Sequence, residues 1–181
     1  NLVFRPGQAL VAMSANVAIG AVTIGGQHVY TTPATGDLLT NTVALQGLTF
    51  FDGAAGTSLL FDVSVGEGFF SIAGCTFLKA GVSGNAIRGI GPNGVMVLLQ
   101  SNSADHQSTD SFIYSENGVL SVGQSSFQNG AAAGFIDYAG SGTCIITQNT
   151  TLASGTYVMS MTSGNAFMQG NFFNVFGTDA D

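Results

Sequence analysis

Apolar and polar residues alternate over short stretches of this chain, and the alternation restarts at near-regular intervals. Two alternating apolar positions lead to a small or polar turn residue, then to a bulky apolar residue, usually with Gly close behind. The phrase reads VALQGLTFFDG from Val43, FSIAGCTFLKAG from Phe70 and LSVGQSSFQNG from Leu120. Looser copies begin at Ile145 and Ala166, and weaker ones at Val17 and Val97. Period-two apolar spacing over a few residues predicts short strands. No window carries the i, i+3, i+4, i+7 spacing of an amphipathic helix.

Aligning the copies on the bulky residue gives three columns. The closing column is Ile24, Phe50, Phe77, Ala104, Phe127, Leu152 and Phe173. Five residues earlier stand Ile19, Leu45, Ile72, Leu99, Val122, Thr147 and Met168, with Thr147 the one polar member. Two before those stand Val17, Val43, Phe70, Val97, Leu120, Ile145 and Ala166. The repeat is about 25 residues, enough for three short strands and three turns stacked on the next coil at ~4.8 Å. Each column then becomes an inward stack of like side chains.

The sequence therefore predicts an all-β parallel β-helix, a solenoid of about seven coils, spanning residues 16–177. Residues 1–15 form a cap segment around Pro6-Gly7, and residues 178–181 an acidic tail. Gly53, Gly81, Gly130, Gly155 and Gly177 follow the closing residues and suit corners with positive φ. Asn93-Gly94, Asn117-Gly118 and Asn129-Gly130 mark turns. A β-sandwich or jelly roll also supplies short strands, but it does not predict one phrase returning near register.

Composition narrows the function. Only 7% of the 181 residues are charged, ten acids face three bases, and the net charge is -7. Arg5, Lys79 and Arg88 are too few to neutralise phosphates, so nucleic acid is excluded as a partner. No apolar run is long enough to span a membrane as a helix, and no basic-then-apolar leader is visible. Asn1 is not an initiator Met, which suggests a processed or partial chain. Cys75 and Cys144 lack CxxC spacing and fall about three coils apart, about 14 Å by strand spacing, too far for a disulfide. They are expected as two free, buried thiols.

Phrases such as Ile72-Ala-Gly-Cys-Thr-Phe77 and Leu120-Ser-Val-Gly-Gln-Ser-Ser-Phe127 resemble coils of the right-handed parallel β-helix superfamily. That superfamily holds pectate-lyase-like enzymes and the trimeric tailspikes and fibres of bacteriophages. The resemblance covers roughly residues 15–177. It implies an architecture and leaves function to the site. Pectate lyases hold calcium in clustered carboxylates and use a basic residue for proton abstraction. This chain has no tight acidic cluster and few bases, so the resemblance leans to the virion-fibre branch. There, copies of the subunit cover one another's outer faces.

Catalytic chemistry has one leading candidate. Counting from the closing residues puts Asp62 at +12, Arg88 at +11, Glu116 at +12 and Asp137 at +10. Asp62, Glu116 and Asp137 thus share an outer stripe, with Tyr114 and Tyr138 near enough to stack on a sugar. Paired carboxylates of this kind serve glycoside hydrolysis; a solvated charge stripe, with Arg88 paired to Glu116 or Asp62, explains the same residues. Asp105-His106 with Asp110 suits a metal pair or an acid–base dyad, but equally an exposed polar loop from Gln100 to Asp110. Ser101, Gln124 and Asn149 share a turn column with Gly47, Gly74 and Gly170 and suit a polar ladder. Thr49, Thr76, Ser103, Ser126 and Thr151 form a hydroxyl column only one residue wide, too narrow for an ice-binding array. Gly89 to Gly94 lacks the Lys and Ser/Thr of a phosphate loop.

These readings converge on a homotrimeric, non-enzymatic structural and adhesive protein of a virion: a tail spike, a tail fibre or a capsid-attached fibre or decoration subunit. It is expected outside the cell, with other virion proteins and a host surface glycan as partners, and without cofactor or metal. The alternative is a polysaccharide lyase or hydrolase acting through Glu116, Asp137 and Asp62.

Overall fold

The structure, a computed structural model, describes residues 3–4, 8–11, 23–25, 27–129, 134–153 and 157–175. Among the described residues there is no helix, and every strand pairs in parallel with the equivalent strand of the next coil. Sheet A holds Val3–Phe4, His28–Thr31, Leu59–Asp62, Ile87–Ile90, Ile113–Ser115, Ile136–Tyr138 and Met159–Met161. Sheet B holds Gln8–Val11, Thr42–Gln46, Gly68–Ala73, Gly94–Leu99, Val119–Gly123, Thr143–Thr147 and Asn165–Gln169. Sheet C holds Thr23–Gly25, Thr49–Asp52, Thr76–Lys79, Asn102–His106, Ser126–Asn129, Thr150–Ala153 and Phe172–Val175. The chain visits A, B and C in turn, which makes a parallel β-solenoid.

The solenoid has about five full turns, not seven. The buried core runs from His28 to Thr151. Beyond it, the strand Asn165–Gln169 is exposed at every position, being the last strand of sheet B among the described residues. At the other end Gln8 pairs with Val43 and Leu10 with Leu45. Those are the column positions expected for Val17 and Ile19, which fall outside the described residues. Strands Val3–Phe4 and Gln8–Val11 thus lie within the segment expected as a cap. The expected tail, 178–181, also lies outside the described residues.

Register corrects two of the seven copies by one residue. The first inner column is Val43, Phe70, Met96, Leu120, Cys144 and Ala166. The second is Leu45, Ile72, Leu98, Val122, Ile146 and Met168, and the third is Ile24, Phe50, Phe77, Ser103, Phe127, Thr151 and Phe173. Leu98 and Ile146 are buried, whereas Leu99 and Leu152 are each 42% exposed. The cause is specific. Ser103 and Thr151 put hydroxyls at the closing position, and each is followed by an apolar residue. Matching apolar to apolar moves the whole strand by one, and a one-residue slip sends every side chain to the opposite face. With the register set, the polar Thr147 leaves the core and Ile146 takes its place.

Aromatic stacking runs along the third column and beside it. Phe50 stacks on Phe77 at 5.1 Å, and Phe112, Phe127 and Phe135 continue the series at 5.0 to 6.1 Å. Such pairs contribute about 0.5–1.5 kcal/mol each beyond their buried area. Tyr30, Phe61 and Phe70 form a second stack nearer the N-terminal end.

The turn between sheets B and C carries two polar ladders where one was expected. Gly47, Gly74, Gln100, Gln124, Gln148 and Gly170 all have positive φ, between 50° and 67°. Non-glycine residues rarely adopt that backbone. Here Gln100 Nε2 donates to Gln124 Oε1, and Gln124 Nε2 to Gln148 Oε1, each at 3.1 Å. One residue on, Ser101, Ser125, Asn149 and Asn171 form the buried ladder. Each side-chain oxygen accepts the backbone N–H of the coil before it, at 2.9 to 3.2 Å. Gly53 and Gly81, expected to need positive φ, do not have it. Gly130, Gly155 and Gly177 lie outside the described residues.

Candidate functional site

Among the described residues, sheet A and its two flanking corners carry the exposed charge. Seven described charged side chains are not buried: Asp37, Asp62, Glu67, Arg88, Asp110, Glu116 and Asp137. Each sits on sheet A or in a corner leading into or out of it. No strand of sheet B contains a charged residue. The charged residues of sheet C with described side chains, Asp52, Lys79 and His106, point inward and are buried.

A slot of about 450 Å³ opens where sheet C turns into sheet A. Its floor is Arg88, Tyr114 and Asp137, consecutive in one outward column because Arg88 pairs with Tyr114 and Tyr114 with Asp137. Its wall comes from corners on successive coils, including Thr57, Asn85, Asp110 and Tyr157. Arg88 lays its guanidinium 4.9 Å from the centre of the Tyr114 ring. The Arg88 Nε is buried without a hydrogen-bond partner. Tyr114 Oη donates to Glu116 Oε1 at 2.8 Å, and this bond, with burial, pushes its hydroxyl pKa up. Burial raises the Asp137 carboxyl, partly offset by a hydrogen bond with Ser160. Burial and the charge of Asp137 raise Tyr157, against a hydrogen bond with Ser111.

The expected stripe divides. Asp62 pairs across to Ile90, and Glu116 follows Ser115, which pairs with Gly89, so Glu116 also lies beside Ile90. Asp62 and Glu116 therefore share one row, and Arg88, Tyr114 and Asp137 the next. Of the three carboxylates considered for catalysis, only Asp137 lines the slot. Asp62 Oδ1 instead accepts from the backbone N–H and hydroxyl of Ser64, at 3.0 and 2.6 Å. Arg88 pairs with neither Asp62 nor Glu116; the ion pair among the described residues is elsewhere. Tyr138 is buried and donates to the Asn117 carbonyl at 2.9 Å, which removes it from any sugar surface.

The polar stretch Gln100 to Asp110 is not an exposed loop. Asn102–His106 is a strand with a bulge after Ser103, and the extra residue turns His106 inward. His106 is buried against Phe112 and Phe127, with ring centroids at 5.9 Å, and its Nε2 donates to the Asp110 carbonyl at 2.8 Å. No group of three metal-ligating side chains occurs among the described residues. Asp110 nonetheless joins the slot, and its Oδ2 accepts the Gly84 N–H. The outer column is Thr49, Thr76, Asn102, Ser126 and Thr150, four hydroxyls interrupted by one amide, while Ser103 and Thr151 face the core.

The buried ion pair was not anticipated from the residues. Lys79 Nζ donates to Asp52 Oδ2 at 2.8 Å and to the carbonyls of Ala54 and Gly56 at 2.7 Å, which satisfies its three protons. Asp52 also accepts from the Ala54 N–H and the Ser58 hydroxyl. The signal was present: Asp52 and Lys79 each stand two residues after a core phenylalanine, so both share its inward parity. Gly56, held by Lys79, is itself part of the slot wall.

Comparison with known proteins finds no match to any family model, any curated protein or any solved structure. The chain is a parallel β-solenoid with its exposed charge, among the described residues, confined to one face and that face's two corners.

Proposed function

We propose that the chain is a non-enzymatic structural and adhesive column of the virion-fibre kind, working outside the cell as a homotrimer beside other virion proteins. The observation that carries the reading is the segregation of charge. Each copy has net charge -7, so copies approach most cheaply through surfaces that bury no carboxylate. Sheet B offers Phe69, Val95, Val97, Val119 and Ile145 outward, all partly exposed. Sheet C adjoins it across the glutamine corner. A two-fold dimer would cover the same face on both copies, whereas a ring of three uses two different faces of each. Sheets B and C then face neighbours, the glutamine corner turns toward the axis, and sheet A with its slot faces outward to a host glycan.

The test is the solution mass of the intact chain by light scattering or native mass spectrometry. A trimer is expected, and Val97→Glu, which puts a charge on sheet B, should dissociate it, while Leu60→Glu on sheet A should not. A monomeric wild type refutes the assembly. The enzymatic alternative is tested alongside: release of oligosaccharide from a polymer by the wild type, abolished in Glu116→Gln/Asp137→Asn without loss of stability, would replace the adhesive reading.

A further inference from the structure

We propose that the slot beside sheet A binds an uncharged sugar unit of a polysaccharide and discriminates against acidic sugars. The inference rests on the adhesive reading and gives its ligand a chemical class. Three features of the slot carry it.

The first is shape. The floor residues Arg88, Tyr114 and Asp137 lie on three successive strands, so the slot runs along the axis for at least two coil spacings, ~10 Å. An elongated channel suits a stretch of polymer better than a compact metabolite. The second is the pairing of a ring with hydrogen-bonding groups. Tyr157 sets a flat apolar ring beside the polar groups of Asn85, Asp110 and Asp137, the combination that meets a sugar's C–H face and its hydroxyl rim, while Arg88 covers the Tyr114 ring. The Tyr157 ring lies directly over Gly134, where an added Cβ would stand 1.9 Å from the ring. That glycine leaves the room the ring occupies.

The third is the balance of charge. Asp110 and Asp137 line the slot against the single cation Arg88, and Glu116 lies just outside, bound to Tyr114. An anionic ligand would meet two carboxylates for one guanidinium. A neutral polyol meets no such penalty: its hydroxyls donate to the carboxylates of Asp110 and Asp137 and accept from the Arg88 guanidinium that lines the slot. Arg88 is also committed over the Tyr114 ring, which holds it as a planar donor and keeps it from acting as a free counter-ion.

Affinity electrophoresis of the full chain through gels containing dextran, galactomannan or mixed-linkage β-glucan, against polygalacturonate and alginate, tests this. Retardation by at least one neutral polymer is expected, with little dependence on salt. Asp137→Asn, without loss of melting temperature, and Tyr157→Ala, still folded by circular dichroism, should each weaken it tenfold or more. Thr57→Phe, which fills the slot from its rim, should do the same without removing a polar group from the floor. Preferential retention by the acidic polymers overturns the proposal. So does neutral binding that survives all three substitutions, or no retention by any neutral polymer. Those failures are separable from the assembly reading: a trimer that binds no neutral glycan sinks only this inference, and a monomer that binds one sinks only the trimer.

Discussion

Removing the Lys79 ammonium is the sharpest test of how this solenoid is held together. In Lys79→Met the aliphatic stem is largely retained, so packing changes little. What is lost is the partner of a buried carboxylate and of two corner carbonyls. Breaking a buried ion pair from one side costs about 3–5 kcal/mol, because the remaining charge stays out of water unpaired. For a chain of this size each kcal/mol lowers Tm by about 2–4 °C, so a loss near 4 kcal/mol predicts a fall of about 8–16 °C. The double variant Asp52→Asn/Lys79→Met removes the stranded charge, while the amide that replaces the carboxylate can still reach Ala54 and Ser58. It should recover a coupling energy of about 0.5–3 kcal/mol relative to the summed single variants.

Acid titration gives the same experiment a second axis. Burial pushes the Asp52 carboxyl pKa up, but hydrogen bonds from Lys79, Ala54 and Ser58 and the Lys79 charge outweigh it and hold it below the usual value. A carboxyl with a depressed folded pKa contributes stability in full above its unfolded value, about 3.9, and loses it as pH falls through the folded value. Below about pH 4 the Tm of the wild type should therefore fall more steeply than that of Asp52→Asn. Thermal melts by circular dichroism, with hydrogen exchange on residues 53–58, read both effects. A Lys79→Met Tm within about 2 °C of the wild type would refute the assignment of the pair as a structural anchor.

Four other outcomes are expected. Phe77→Ala, removing the ring between Phe50 and Phe112, should cost about 3–5 kcal/mol, whereas Phe51→Ala on the outer face of the same sheet should cost about 0.5 kcal/mol or less, measured by urea melts. Gln124→Ala should cost about 1 kcal/mol, because it keeps the left-handed backbone and loses two amide bonds; Gln124→Gly, which relieves that backbone, should stay within about 0.5 kcal/mol of the wild type. Burial pushes the Cys144 thiol up to about 12 and raises Cys75 as well, so neither should be alkylated by iodoacetamide at pH 8 until denaturant is added, as followed by intact mass. Asp137→Asn should raise stability at pH 7, by no more than about 1 kcal/mol after solvent screening, since burial disfavours the ionised carboxylate there. A fall in Tm would mean that Asp137 is a structural residue.

The period, the strand type and the aromatic column were legible because Phe50, Phe77 and Phe127 stand at equivalent positions with a turn residue three before each. The register of the fourth and sixth coils was not. Val95 to Leu99 and Cys144 to Ile146 are apolar on both faces, so alternation carries no phase there, and the closing residue that would have set it is a hydroxyl. The buried turn ladder supplies the missing phase: Ser101 and Asn149 each accept the backbone N–H of the coil below, which fixes them one residue after the positive-φ position. The slot was half legible. Arg88 and Asp137 could be placed on one face by counting, but Asp110 and Tyr157 reach it from corners of different length. The burial of His106 followed from a bulge that no spacing reveals.

The three faces of the prism record different constraints even though one coil makes all of them. Inward positions are fixed by packing: each column must stack like on like, and a hydroxyl such as Thr151 is tolerated only where rings lie above and below. Outward positions on the same strands meet no such demand, so their chemistry is free to differ from sheet to sheet. On sheet A the outward columns hold Leu60, Arg88, Tyr114 and Asp137 beside Asp62 and Glu116. On sheet B the equivalent columns run Thr42, Phe69, Val95, Val119 and Thr143 without a charge. Fold stability alone gives no reason for that difference, because a solvated face gains from scattered charge of both signs and loses from exposed Val and Phe. Among the described residues, an apolar outer face on sheet B, an uncharged hydroxyl-rich one on sheet C and a slotted charged face on sheet A are what the proposed assembly asks of its subunit, two sides meeting its own copies and one meeting the outside.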